Sequence, residues 1–184
     1  MRYLAIVVVA VAVLLLVSMV LAYNGLVRRR NQVDNAWAQV DVQLRRRYDL
    51  IPNLVATVQG YAGHERATLE SVARARAGAM GAGGTAELAH AERALTGALR
   101  GLLAVAESYP QLRANGNFLR LQEELGHTED RTAYARQYFN DAVLSYNNAT
   151  GTFPRNLVAA LGGFRPREYF RVDGPESGPV TVRF

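Results

Sequence analysis

The chain has 184 residues, 49% of them hydrophobic and 20% charged, with 16 acidic residues, 21 basic residues that are all Arg, no Cys, and a formal net charge of +5. At about 150 residues per domain, that length supports one compact unit with an appended segment. Zero Cys excludes disulfide scaffolds, thiol catalysis and Cys-built zinc sites, and the absence of Lys excludes P-loop and Schiff-base chemistry. The modest positive charge suits an anionic lipid surface at least as well as nucleic acid.

Leu4 to Ala22 is an apolar run in which only Ser18 is polar. As a helix it spans about 28 Å, close to a hydrocarbon core of about 30 Å. Tyr3 and Tyr23 stand at its ends, where amphipathic rings favour the headgroup level. The run predicts a transmembrane anchor over residues 1–23. Val20-Leu21-Ala22 loosely fits a cleavage site, but the run exceeds the roughly 7 to 15 apolar residues of a secretory signal. Arg28, Arg29 and Arg30 follow the span, against Arg2 and the chain amine before it. The positive-inside bias then predicts an outside N-terminus and a cytoplasmic domain over residues 24–172 at the inner membrane. The triplet begins about 9 Å beyond Ala22, which predicts lipid headgroup contact at about 1 kcal/mol per Arg.

Beyond the anchor the pattern is helical. Val33, Trp37, Val40, Leu44, Tyr48 and Ile51 recur at steps of three and four, and no Gly or Pro interrupts Leu26 to Ile51. Pro52 predicts a kink or restart, because it disfavours helical backbone at Ile51. A second helix is expected from there to about Met80, with Leu54, Val58, Tyr61, Leu69 and Val72 inward. Gly81 to Gly84 breaks it, and Thr85 is a candidate cap for the next. The third helix carries Leu88, Ala91, Leu95, Ala98, Leu102, Val105 and Tyr109 inward and ends at Pro110. Asn115-Gly116-Asn117 makes a turn whose last Asn is a candidate cap. The fourth helix runs through Phe118, Leu121, Leu125, Thr128, Thr132, Ala135, Phe139, Ala142 and Tyr146. Sustained steps averaging 3.5 predict left-handed, near-antiparallel packing of coiled-coil type. The expected fold is all-α, a transmembrane helix continuing into an antiparallel four-helix bundle of long helices. Residues 173–184 read as a flexible tail. Val180 to Phe184 alternates like a short strand and offers a second reading, an end that adds to a partner's sheet.

The stretch YNGLVRRRNQVDNAWAQVDVQLRRRYDLIPNLVATVQGYAGHE, followed by AVAESYPQLRANGNFLRLQEELGHTEDRTAYARQYFNDAVLSYN and FPRNLVAALGGF, resembles the bacterial LemA family from about Tyr23 to Phe170. The resemblance implies a single-pass membrane protein with a helical-bundle soluble part, and no enzyme. It supplies no mechanism. Arg29 departs from the pattern, since an apolar residue is commoner there in the family.

Chemistry-bearing residues are few. Two E-x-x-H pairs, Glu87 with His90 and Glu124 with His127, have the spacing of di-metal carboxylate sites in helical bundles. The apolar steps place Glu87 and Glu124 on the flank and both His outward, so a metal site is a secondary alternative. His64-Glu65 opens like a zincin motif, but Thr68 stands where the second His belongs. Ser18, Ser71, Ser108, Ser145 and Ser177 lack a nucleophile-elbow setting. The glycines of Gly78 to Gly84 precede no Lys. Nucleic-acid binding is not expected, because Tyr48, Tyr61, Tyr109, Phe139 and Tyr146 fall on the inward stripe and acidic residues intersperse every later helix.

Arg45, Arg46 and Arg47 lie about 35 Å beyond Ala22 along a straight helix, beyond the roughly 8 Å screening length. At least one is expected to pair with Asp41, Asp49 or a Glu of the fourth helix, and the set is a candidate docking site for a partner. Phe164, Tyr169 and Phe170 are expected to fold over an open end of the bundle, or, if exposed, to form a second docking patch. Asn147 and Asn148 are expected to end the fourth helix. The sequence thus points to a membrane-anchored scaffold or docking protein, with no catalytic residues and no cofactor. Its expected partners are the bilayer and other membrane or membrane-associated proteins, with a homo-oligomer as a further class. The alternatives are a metal-binding bundle and a self-assembling structural membrane protein.

Overall fold

The computed structural model describes residues 1–171. Among them are helices and no strand: α1 (Arg2–Gln59), α2 (Arg66–Gly81), α3 (Thr85–Glu107), α4 (Pro110–Arg113), α5 (Gly116–Gly151) and α6 (Arg155–Leu161). The protein is all-α with a long apolar N-terminal helix, as the sequence predicts. The expected tail over 173–184, strand-like end included, lies outside the described residues. α1 carries a segment long and apolar enough to cross a membrane, and none of it is buried. The helix passes residue 23 without a break, so the anchor boundary is a change of composition and not of backbone.

The chain divides into two compact units. The first comprises Met1–Val40 and Tyr134–Tyr169. Leu26, Val33, Ala36 and Val40 of α1 are buried there, as are Ala135, Phe139, Ala142, Val143, Tyr146 and Ala149 of α5. Trp37 and Phe139 meet with ring centroids 5.2 Å apart. α6 buries Val158 and Ala159. It closes with Gly163 at φ 68° and a bond from the Phe164 N–H to the Ala159 carbonyl at 3.0 Å, the 6→1 bond of a Schellman ending.

α5 does not end at Asn147 and Asn148, as expected, but continues to Gly151. The Asn147 amide is instead used across the chain. Its Nδ2 donates to the Arg167 carbonyl and its Oδ1 accepts from the Arg167 N–H, both at 2.9 Å. This two-way bond replaces a strand partner for the segment after α6.

The second unit comprises Asp41–Ala133 and, of the described residues near the C-terminus, Phe170 and Arg171. Leu44, Tyr48, Ile51, Leu54 and Val58 of α1 are buried, with Leu69, Val72 and Ala79 of α2. From α5 come Phe118, Leu121, Thr128 and Thr132. The two threonines bond back to the carbonyls of Glu124 and Thr128 at 2.7 Å, which lets hydroxyls sit on an inward face.

Five local expectations are corrected. The restart at Pro52 does not occur, and α1 runs on to Gln59 with the break at Gly60 to Glu65. Proline leaves the Tyr48 carbonyl without its helical donor, and the Arg76 Nε–H takes that place at 2.8 Å. Tyr61 falls beyond the helix end and is 41% exposed, with Ala62 buried in its stead. The inward stripe of α3 is Leu88, Glu92, Leu95, Leu99, Leu102 and Ala106, so Ala91, Ala98 and Val105 lie one position off it. Asn115, not Asn117, caps α5. Its Oδ1 accepts from the N–H groups of Asn117 and Phe118, the second and third residues of a helix that starts at Gly116. At α3 the cap position belongs to Gly84, not Thr85, and the Glu87 carboxylate reaches back to the Gly83 N–H at 2.9 Å.

Candidate functional site

The densest polar constellation of the second unit is built on α1, α3 and α5. Arg47 stands between the buried steps Leu44 and Ile51, and Glu92 between Leu88 and Leu95, so each projects a charge inward. Arg47 is 4% exposed and Glu92 5%. Arg47 Nη1 donates to Glu92 Oε2 at 2.8 Å. Arg47 Nη2 reaches Thr96 Oγ1 at 3.0 Å and Glu129 Oε2 at 3.1 Å. The Tyr48 hydroxyl donates to the other Glu92 oxygen, Oε1, at 2.7 Å. Both carboxylate oxygens of Glu92 are therefore occupied. Burial, reinforced by the bond to Glu92, pushes the Tyr48 phenol far above its ordinary range. Within this cluster the buried Arg47 Nε lacks a partner.

Glu92 is buried and each of its oxygens accepts a bond from within the cluster, so its carboxylate is engaged by Arg47 and Tyr48. The expected pairing of the second Arg triplet is present in two forms. Arg47 pairs with Glu129, a glutamate of the fourth long helix, and Arg45 Nε pairs with Asp41 at 2.9 Å. Of the three candidate docking arginines, Arg45 and Arg46 are on the surface and Arg47 is buried.

The first Arg triplet is divided among different neighbours. Arg28 and Arg30 are exposed. Arg29 is half-buried and donates to the Ser145 hydroxyl of α5. Arg30 lies over the Phe164 ring, its guanidinium carbon 5.4 Å from the centroid, within cation–π range. Phe164 itself is buried and meets Tyr23 edge-on at 5.4 Å. Phe170 is buried and Tyr169 half-buried. An exposed aromatic patch at Phe164 and Phe170 is thus corrected to internal packing.

The E-x-x-H residues are not brought together. Glu87, His90 and His127 are exposed and Glu124 is half-buried. His127 Nε2 lies 3.7 Å from Glu123, one turn away on the same surface. Among the described residues no group of three or more His, Asp and Glu converges to hold a metal ion. An open groove of about 560 Å³ between α3, α4 and α5 is lined by Leu103, Glu107, Arg113, Phe118 and Leu119 among others, and contains no paired acid and base of the kind hydrolysis needs.

Sequence reasoning missed Glu92, Thr96 and Arg76. The available signal was a pair of opposite charges at inward steps. Arg47 follows Leu44 by three and precedes Ile51 by four, while Glu92 follows Leu88 by four and precedes Leu95 by three.

The family model described as the LemA family matches residues 36–184. The chain is 28% identical to the magnetosome protein MamQ of Magnetospirillum gryphiswaldense, over 94% of this chain and 75% of that protein. It is 25% identical to magnetosome protein MamQ 2 of Paramagnetospirillum magneticum, over 90% of this chain and 70% of that protein. The protein LemA of Metamycoplasma hominis is 25% identical, over 82% of this chain and 72% of its own length.

Proposed function

We propose that this chain, which belongs to the LemA family, is a non-catalytic, membrane-anchored helical protein that positions or docks other proteins at the bacterial cytoplasmic membrane. The observation that carries this reading is α1. One uninterrupted helix holds both a wholly exposed apolar segment and the buried stripe from Leu26 to Val58. Apolar surface left in water costs roughly 25 cal/mol per Å², and a bilayer removes that cost for the anchor. The inward charges of Arg47 and Glu92 satisfy each other, which favours a structural over a chemical role. Arg45 and Arg46 beside them are the surface cations we favour for docking. The bias of Arg28, Arg29 and Arg30 toward one side favours a cytoplasmic domain.

Alkaline carbonate washing of membranes is expected to leave the full chain in the bilayer, and release would overturn the anchor. A photocrosslinker at Arg46 is expected to capture the same neighbour repeatedly, and Arg45→Glu in the same chain to abolish the capture. Recovery of nothing but the chain itself would favour self-assembly. Stoichiometric bound metal that is lost in His127→Ala would favour the metal-binding alternative.

A further inference from the structure

α6 and the turn before it carry an apolar surface that the first unit leaves uncovered. Phe153, Leu157 and Leu161 are 80%, 57% and 78% exposed. Leu157 and Leu161 are one turn apart and share a side of the helix, while Val158 and Ala159 of the same helix are buried. The segment from Thr150 to Arg167 holds Arg155, Arg165 and Arg167 and no Asp or Glu. Arg167 is paired with Asp34 at 3.1 Å, which leaves Arg155 and Arg165 as the exposed cations of the segment.

The position of this surface is set by Phe164. The Phe164 N–H is bonded to Ala159 of α6, and its ring rests against Tyr23. Tyr23 is the first residue after the apolar run of α1. The C-terminal end of α6 is therefore tethered at the level where the span leaves the hydrocarbon. Leu161 is three residues from Phe164, within about 10 Å along even an extended chain. The headgroup layer adds roughly 5 to 8 Å on each side of the hydrocarbon, so the two depths overlap.

From this geometry we infer that α6 is an interfacial membrane element. Phe153, Leu157 and Leu161 dip into the phospholipid surface from which α1 emerges, and exposed Arg155 and Arg165 meet anionic headgroup phosphates. An amphipathic segment with apolar side chains on one face and arginines around it is what such an interface stabilises. The lipid surface is favoured over a protein occupant because the face adjoins the span and its charge complements anionic lipid. The inference rests on the membrane-anchored reading, and its test separates the two.

The chain has no Cys, so Phe153→Cys, Leu157→Cys and Leu161→Cys can each carry one nitroxide label in the full chain, reconstituted in vesicles of phosphatidylcholine and phosphatidylglycerol. Leu14→Cys and His90→Cys give the lipid and water references. The α6 labels are expected to relax faster with oxygen than with a water-soluble nickel chelate, at depths between the references. Adding Leu157→Glu and Leu161→Glu is expected to move the Phe153→Cys label toward the water reference. If the Leu14 label is in lipid and the α6 labels match His90, this inference falls and the anchor stands. If the Leu14 label is in water, the anchored reading itself falls. Shielding from both reagents, with dipolar broadening that vanishes on dilution, would overturn the lipid assignment in favour of a second copy.

Discussion

The Arg76 Nε–H donates at 2.8 Å to the main-chain carbonyl of Tyr48, the carbonyl four residues before Pro52. In a regular helix that acceptor belongs to the N–H of residue 52, which proline does not have. A side chain from α2 thus completes the hydrogen bonding of α1, and the helix continues through its own breaker. Arg76→Ala is expected to lower unfolding free energy by about 1 to 3 kcal/mol, the range for losing a bond from a charged donor. In a Pro52→Ala background, residue 52 regains its N–H, and the same replacement should cost clearly less. Denaturant unfolding of the four chains closes the cycle. Equal costs in the two backgrounds would disprove the link.

Arg47 and Glu92 present the opposite case, a charged pair taken out of water. Removing one partner of a buried pair leaves the other uncompensated, which costs about 3 to 5 kcal/mol. Glu92→Ala is expected to fall in that range. Replacing both at once, Arg47→Met with Glu92→Leu, should recover most of the loss, since two apolar side chains leave no orphan charge. Glu129 is 55% exposed and its pair with Arg47 is screened, so Glu129→Gln is expected to cost less than about 1 kcal/mol. Equilibrium unfolding checks all three. A double variant no more stable than Glu92→Ala would refute the account.

Tyr48 gives the same cluster an alkaline signature. Its folded-state pKa is raised, first by burial and then by the bond its hydroxyl donates to Glu92. An unfolded tyrosine titrates near pH ~10. The contribution of the neutral phenol is therefore fully present below that value, and it is lost as pH rises from there through the folded pKa. Stability should decline on the alkaline side of pH ~10, while phenolate absorbance shows Tyr48 and Tyr146, whose phenol burial also raises, resisting ionisation until the chain unfolds. Tyr48→Phe should reduce the alkaline decline and leave one fewer resistant tyrosine. Phenolate formation by every tyrosine while helicity is intact would contradict it.

The helical class and most of the inward faces were readable because the apolar steps are long and regular. Every inward position expected on α5 is buried except Leu125, which is half-buried. The misreadings have physical causes. On α3 the residues between Leu88, Leu95 and Leu102 include Ala89, Ala91, Ala94 and Ala98, apolar positions beside the true stripe. Counting apolar steps chose Ala91 over Glu92, because an isolated carboxylate does not belong inside. Only the opposite charge of Arg47, forty-five residues away, makes that position tolerable. Pro52 misled in the same manner. Its penalty is local, but the remedy comes from Arg76 on another helix, and single-helix reasoning has no access to it. Arg29 also donates to the Ser145 hydroxyl, a neighbour in space that its place between Arg28 and Arg30 in sequence does not reveal.

Gly162 and Gly163 stop α6 and also decide where the Phe164 ring lies. Gly163 sits at φ 68°, backbone that costs a residue with a Cβ roughly 1 to 2 kcal/mol, so Gly163→Ala should destabilise by about that much. At Gly162 the obstacle is contact. A Cβ there would stand 2.7 Å from Phe164 Cε2 and 3.1 Å from the Val158 carbonyl, so Gly162→Ala must displace the ring. Displacement also removes the edge contact with Tyr23 and the aromatic face beneath Arg30. Hydrogen exchange at the Phe164 N–H, which is bonded to Ala159 in the native chain, should rise in both variants. In Gly162→Ala, exchange at the N–H groups of Asn117 and Phe118 near the Asn115 cap should be unchanged. Undiminished protection of Phe164 in Gly162→Ala would mean that its position is fixed by something other than the glycine pair.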